Sequence, residues 1–414
     1  MPEAKYLLVG SSHAALEALR AIRQVDGEGS VAMVTQDAHP PYSPTVLPYV
    51  VSGRSKADRV SLRDGDFFAA EGCTFVPRSR AVSLDAGRKR VTLSTGDVWS
   101  YEKLLLATGS APAIPPVRGL DTVKIHVLRS LDDALALRAA MGTAHSAVVL
   151  GGGLVGLHAA ENLAEAGLSV SVIEMQGQVL PGYFDAKASR RIEDAFGSHG
   201  VRLFLGRRAT SVVSQDDGVA VTLDDGRIVE ADLLLVAAGV KPVVDWLAGS
   251  GITLDRGIVV DDTMRTNLPD VWAAGDVAQA RDFASGETAL IGIIPTAVEQ
   301  GRTAGRDMAG DSYLRPYEGG LPVNTYRFFG RVALSIGQAA ASDGVEVTEN
   351  EAGGYRRIVM ADDRLVGYAS VDEPFDVGII GELIRRRVDL GPVRDDFLAR
   401  PLETGRRLMS EGWR

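Results

Sequence analysis

Val148-Val149-Leu150-Gly151-Gly152-Gly153-Leu154-Val155-Gly156 is an apolar strand running straight into a helix through the spacing Gly-x-Gly-x-x-Gly. Each glycine has a separate task in such a turn. Gly151 makes the tight bend, Gly153 lets a pyrophosphate approach the backbone, and Gly156 brings helix and strand together. Leu154 and Val155 then open a helix whose positive end faces the phosphates. The following strand, Ser169-Val170-Ser171-Val172-Ile173-Glu174, ends in an acid about twenty residues beyond the turn. A carboxylate there accepts hydrogen bonds from a ribose 2′-hydroxyl and repels a 2′-phosphate, and no arginine follows closely. The stretch reads as a site for NAD rather than NADP.

A second turn opens the chain as Tyr6-Leu7-Leu8-Val9-Gly10-Ser11-Ser12-His13-Ala14-Ala15. Ser12 and Ala15 replace the second and third glycines, but both are small enough for pyrophosphate to approach. The next strand, Val31-Ala32-Met33-Val34-Thr35, ends without a clean acid, so the ribose argument does not repeat. Helices are expected over residues 10–21 and 153–166. Val91-Thr92-Leu93 and Val98-Trp99-Ser100-Tyr101 flank Gly96-Asp97, and Val219 to Leu223 and Arg227 to Val229 flank Asp225-Gly226, two hairpin signals. Strands Lys103 to Leu106 and Leu233 to Val236 end in Ala107-Thr108-Gly109 and Ala237-Ala238-Gly239, where small residues let the backbone leave a sheet beside a nucleotide. The same order of parts occurs twice. Short Val/Leu/Ile strands alternating with amphipathic helices indicate an α/β fold with parallel sheets covered on both faces.

The chain has 414 residues, one cysteine, six histidines and a net charge of −10. That length accommodates two or three domains. The negative charge disfavours a nucleic-acid partner. There is no leader-like N-terminus and no run long enough to span a membrane, so a cytoplasmic protein is expected. Cys73 alone excludes an internal disulfide, a Cys-x-x-Cys pair and a cysteine-built iron–sulfur or zinc site, and no metal site is expected.

The segment Thr266-Asn267-Leu268-Pro269-Asp270-Val271-Trp272-Ala273-Ala274-Gly275-Asp276 completes a pattern. With the N-terminal turn, Ala107-Thr108-Gly109 and the central turn, in that order, the whole chain resembles the FAD-dependent pyridine-nucleotide reductases, ferredoxin and rubredoxin reductases among them. The resemblance implies two Rossmann-like domains and a small α+β C-terminal interface domain. FAD binding falls to residues 1–113 and 241–320, NAD binding to 114–240 and the interface to 321–414. Pro112, Pro115 and Pro116 mark one crossing, and Lys241-Pro242 the return.

It also assigns residues. FAD contacts are implied at Gly10, Ser12, His13 and Ala15, at Pro44, at Val82 through its backbone to the adenine, at Ala107, Thr108 and Gly109, at Gly275 and Asp276, and at Thr296. NAD contacts are implied at Gly151, Gly153, Leu154, Val155, Gly156, Glu174, Ala238 and Gly239. Ile294-Pro295-Thr296-Ala297-Val298-Glu299-Gln300 resembles the family's helix start beneath the flavin, whose positive end favours negative charge. The chemistry is hydride exchange between NAD(H) and flavin, which needs stacked rings and excluded water but no obligatory acid or base. His158, Pro295 and Thr296 are the candidate catalytic residues.

Departures from the family narrow the job. In Tyr42-Ser43-Pro44-Thr45-Val46-Leu47-Pro48-Tyr49, threonine occupies the redox-cysteine position of thiol-using members and can form neither a sulfenic acid nor a mixed disulfide. Cys73 lies elsewhere and reads as a buried small hydrophobe. Pro44 and Tyr49 stand in a segment where the ferredoxin reductase branch carries an Arg and a Lys, and His158 stands where many relatives have a Glu.

With no thiol relay, electrons must pass directly to something outside the chain. The expected function is an FAD-containing, NAD(H)-dependent reductase subunit exchanging electrons with an iron–sulfur protein or metal-containing subunits of a multicomponent oxidoreductase, in an oligomer or hetero-complex. His13-Ala14-Ala15, Leu47-Pro48-Tyr49 and Gly153 to Glu161 resemble the NAD-linked flavoprotein subunits of phenylglyoxylate dehydrogenase and tungsten aldehyde oxidoreductase. The alternatives are a stand-alone NADH oxidase or diaphorase and a non-enzymatic redox-sensing flavoprotein. Ile384-Arg385-Arg386-Arg387, with Arg394 and Arg400, is a candidate docking patch or a solvated helix end.

Overall fold

A computed structural model describes residues 1–215, 218–343 and 345–411. They divide into two compact units, one of residues 1–46, 56–111 and 240–320, the other of residues 47–55, 112–239 and 321–414. Eight elements position the candidate sites: β1 (Glu3–Val9), α1 (His13–Val25), β2 (Val98–Leu106), β3 (Ser146–Leu150), α2 (Leu154–Glu165), β4 (Ser169–Glu174), β5 (Leu233–Val236) and α3 (Ile294–Ala309).

In the first unit β1 lies between parallel Val31–Val34 and β2, and Leu7 and Leu8 are fully buried, as an apolar strand covered on both faces requires. Cys73–Val76 extends the sheet beyond Val31–Val34, and Val271–Ala273 adds a parallel strand against β2. Residues 98–101 and 103–106, read separately from the sequence, are continuous in the structure. β2 is one strand that pairs antiparallel with Arg90–Leu93 at its start and parallel with β1 along its length, because no turn residue interrupts Val98 to Leu106. α3 crosses α1 closely. A Cβ on Gly301 would lie 2.2 Å from the Ala14 carbonyl oxygen, and one on Gly305 2.4 Å from that of Ala18.

In the second unit a parallel sheet runs Arg202–Leu205, β4, β3, β5. Here the strand corresponding to β2 is broken into Ile228–Ala231 and β5 at Asp232. The Asp232 carboxylate accepts the backbone N–H groups of His145 (2.6 Å) and Ser146 (3.0 Å), and its own N–H donates to Ser146 Oγ. Those hydrogen bonds hold its carboxyl below the usual range. Ile228–Ala231 turns aside into a three-stranded antiparallel sheet with Ala209–Gln215 and Gly218–Leu223, the predicted hairpin.

Residues 321–414 belong to the same compact unit as 112–239. They form a five-stranded antiparallel sheet, with helices Val377–Arg385, Arg394–Ala399 and Pro401–Glu411. Tyr326, Phe328, Tyr355 and Tyr368 are fully buried in it. Ser335 Oγ donates to the Tyr183 carbonyl, Tyr355 OH donates to Asp185, and Lys187 pairs with Glu349 and Glu351. A further tie is Glu161 of α2, whose Oε1 accepts the Phe329 N–H at 2.6 Å. Phe329 (φ 45°) and Gly330 (φ 76°) make the hairpin between Val323–Phe328 and Arg331–Gly337, and the Phe329 ring stacks on His199 at 3.9 Å. A phenylalanine is strained at positive φ, so the carboxylate and the stacked ring hold the turn in place.

Glu161→Ala leaves that N–H without its partner, and the expected loss is about 1–3 kcal/mol of unfolding free energy. Urea denaturation of the variant checks this; an unchanged midpoint and slope would remove Glu161 from the account of the turn.

Candidate functional site

At the central turn the tasks assigned to the glycines are visible as space. Gly151 has φ 116°, and a Cβ on it would lie 2.3 Å from the Ala237 carbonyl oxygen. One on Gly156 would lie 2.0 Å from the Gly151 carbonyl, so neither position admits a side chain. Around Gly153, the N-cap of α2, nothing lies within 4 Å of that position and no side chain caps the helix, which leaves backbone N–H groups open to an anion. The residues present therefore fit a dinucleotide pyrophosphate.

Glu174 ends β4 at the lip of this turn, almost fully buried. Its Oε2 accepts the Gly152 N–H and its Oε1 the Gln176 N–H, both at 2.7 Å. The carboxylate is thus oriented by the turn it serves, with lone pairs left for a ribose diol. Val155 is exposed, as is Gly239, whose φ is 104°. Gly151, Gly153, Leu154, Val155, Gly156, Glu174, Ala238 and Gly239 all fall at the carboxyl ends of β3, β4 and β5 or on the helix that follows.

The first turn has the same frame. Gly10 (φ 124°) stands where a Cβ would be 2.1 Å from the Ala107 carbonyl oxygen, and Ser12 begins α1 without a side-chain cap. Ala15 is buried on α1, and Gly275 (φ 82°) abuts Ala14 while its N–H donates to Gln300 of α3. Asp276 accepts from Ser110 Oγ at 2.8 Å. Thr108 Oγ1 donates to the Val243 carbonyl and Gly109 accepts the Val243 N–H, so both also hold the returning chain. Val82 sits at the register shift between Ala81 and Ser83, where the ladder skips it and leaves its backbone for another partner. At the start of α3, Pro295 is exposed, whereas Thr296 is packed inside.

Sequence reasoning missed a cluster beside this turn. His13 Nε2 is 3.0 Å from Ser43 Oγ, which is 2.8 Å from Thr45 Oγ1, so the threonine beside Pro44 ends a hydrogen-bonded chain that starts on α1. Burial, then the charge of Arg63, lowers the His13 pKa, with Asp276 opposing, and the imidazole is neutral at pH 7. Arg63 carried no sequence signal: it is a single arginine in a loop, and only folding brings its charge to the turn.

His158 lies on α2 with its ring edge-on to Tyr326 at 4.8 Å and its Nδ1 4.0 Å from Glu161. Burial lowers its pKa to about 4. Cys73 is a buried strand residue, its thiol pushed up to about 12 by burial, as a small core hydrophobe should be. Three arginines of the candidate patch are ion-paired within the chain. Arg386 pairs with Glu382, Arg394 with Glu346 and Asp363, and Arg400 with Asp396 and Glu403.

Fold and site together define an α/β oxidoreductase with two nucleotide turns. The model of the family described as pyridine nucleotide-disulphide oxidoreductase matches residues 4–301, and the chain belongs to that family. Among its relatives is the NADH-dependent phenylglyoxylate dehydrogenase subunit epsilon of Aromatoleum evansii, 51% identical over 414 residues, covering 99% of this chain and 98% of that one. Another is the nitric oxide reductase FlRd-NAD(+) reductase of Vibrio vulnificus (strain CMCP6), 30% identical over 273 residues, covering 66% and 72%. Among solved structures, a ferredoxin reductase from Rhodopseudomonas palustris superposes with a TM-score of 0.82 at 28% identity, covering 89% of this chain and 91% of that one. The resemblance carried by the motifs is borne out. No helix among the described residues is long and apolar enough to cross a membrane.

A histidine whose folded pKa is depressed stabilises the fold fully above its unfolded value of 6.5, and that contribution is lost as pH falls through about 4. His158→Phe is therefore expected to lose less stability than the native chain between those two pH values. Denaturant melts across the window check this, and parallel pH dependences would disprove it.

Proposed function

We propose that this chain is the FAD-containing, NAD(H)-linked reductase subunit of a multicomponent oxidoreductase of the phenylglyoxylate dehydrogenase type, exchanging electrons between NAD(H) and an iron–sulfur partner. The observation that carries the reading is the 51% identity, from end to end, to the epsilon subunit of such an enzyme. The ferredoxin reductase superposition supports an iron–sulfur partner. Thr45 in place of a thiol and the buried, protonated Cys73 support direct transfer out of the chain.

In this reading residues 1–113 and 241–320 bind FAD, 114–240 bind NAD(H), and 321–414 form the interface domain. FAD, when bound, supplies a ring that accepts hydride and releases electrons singly. The chain's own residues bind and orient. The N-terminal N–H groups of α1 and α2 hold the two pyrophosphates, Asp276 holds the ribityl or pyrophosphate portion of FAD and the Val82 backbone its adenine, and Glu174 holds the adenine ribose of NAD(H). The positive end of α3, where Pro295 is exposed, favours negative charge beside the reactive ring. Neutral His158, packed on Tyr326, keeps a charge out of the interior of the second unit. The cytoplasm is the proposed location.

Anaerobic NADH is expected to bleach the flavin of the purified chain, and oxidised ferredoxin to restore its colour faster than air does. Rapid NADH consumption with oxygen alone would favour a stand-alone oxidase instead, and absent bleaching a non-enzymatic flavoprotein. Glu174→Arg removes a charge-assisted contact to the ribose and repulsion of a 2′-phosphate. The NADH over NADPH preference in kcat/KM should fall by about tenfold or more, and an unchanged ratio would refute the assigned role.

A further inference from the structure

Among the described residues of the first unit, Arg63 is a cation without an anion. Its backbone is fixed beside the 41–45 segment: Leu62 N–H donates to the Pro41 carbonyl at 2.7 Å, Tyr42 and Ser61 form a β-bridge, and Ser61 Oγ donates to the Arg63 carbonyl at 2.5 Å. Its side chain is oriented too. Nη1 donates to the Leu62 carbonyl at 2.7 Å, and the guanidinium carbon stands 5.1 Å from the centre of the Phe67 ring. No carboxylate among the described residues is ion-paired with it, and its Nε is buried with no hydrogen-bond acceptor. A guanidinium has five N–H donors, and leaving a buried one unmet is unfavourable unless a ligand meets it.

Its surroundings say what kind of ligand. Ser43, in the segment that the Arg63 loop flanks, is 3.0 Å from His13, the first residue of α1, which places Arg63 in the loop cluster beside the N-terminal turn, and its charge lowers the His13 pKa with Asp276 opposing. Asp276 is engaged by Ser110. Ser12, preceding α1, offers no side-chain cap, so the positive helix end is left for an anion. This turn also lacks the second glycine, the one that opens the central turn to a pyrophosphate. A fork of donors matched to phosphate oxygens makes good what a less open backbone cradle gives up.

We propose that Arg63 is the positioning residue for the pyrophosphate of FAD at the N-terminal turn, a role the central turn fills with glycine backbone alone. The proposal rests on the FAD reading of the first unit and deepens it.

The test uses the full chain, stripped of flavin and reconstituted. Arg63→Gln is expected to weaken FAD binding by about tenfold or more, followed by flavin fluorescence, while riboflavin, which has no phosphate, binds both proteins alike. Arg63→Lys keeps the charge but loses the fork and should fall between. The native affinity for FAD should decline more steeply with salt than that of Arg63→Gln. NAD binding, measured separately, reports that the rest of the chain is folded; if Arg63→Gln fails this check, Arg63→Lys carries the comparison. Native-like FAD affinity in the variants with a shifted flavin midpoint potential would overturn the proposal, placing the charge at the ring. Equal losses for FAD and riboflavin would overturn it as well. If the native chain bound no FAD, the FAD reading itself would fail, a result distinct from both.

Discussion

Two carbonyl oxygens, those of Ala107 and Ala237, approach so near to Gly10 and Gly151 that a Cβ at either glycine would stand about 2 Å away. Everything functional in this chain depends on that contact. It lets α1 and α2 begin directly over the carboxyl ends of the parallel strands, so that their N-terminal N–H groups converge where a pyrophosphate is proposed to bind. Any other residue would push the helix off the sheet. The chain meets the same constraint twice, and strand order, glycine placement and the small residues at 107–109 and 237–239 follow from it.

The two halves meet the constraint by different means. At the central turn the backbone does the work: Gly153 is open, Gly156 packs, and Glu174 is oriented by the N–H of Gly152. At the N-terminal turn serine and alanine take two glycine positions, and side chains gather instead, with His13, Ser43 and Thr45 linked by hydrogen bonds and Arg63 beside them. Close packing of α1 moves to other residues as well, Gly301 and Gly305 of α3. α2 has a second duty, since its Glu161 fixes the Phe329 turn of the C-terminal sheet. The helix proposed to present N–H groups to NAD is therefore also the helix that holds that turn.

The motifs made the α/β class, both glycine turns, both hairpins and the acid after the second turn legible, because each is a local requirement met by neighbouring residues. Family membership was legible from four such motifs in order. Less legible were features that depend on distance along the chain. Continuity of β2 and interruption at Asp232 look alike in an apolar pattern, and only the hydrogen bonds from His145 and Ser146 distinguish them. The arginines near residue 385 read as a patch until carboxylates from Glu346, Asp363 and Asp396 arrive to pair with their neighbours.

The sequence by itself determined where two nucleotides can bind and that no thiol pair lies between them, since glycine spacing, strand-end acids and cysteine count are properties of composition and short range. Tertiary structure alone decided the electrical setting of those sites. It buried Cys73 and partly buried His158, turned Glu174 toward its own glycine turn, and brought Arg63, some fifty residues along the chain, into the loop cluster beside the first turn. Charge and desolvation act through space and not along the chain, so they take their values only once distant segments have been brought together.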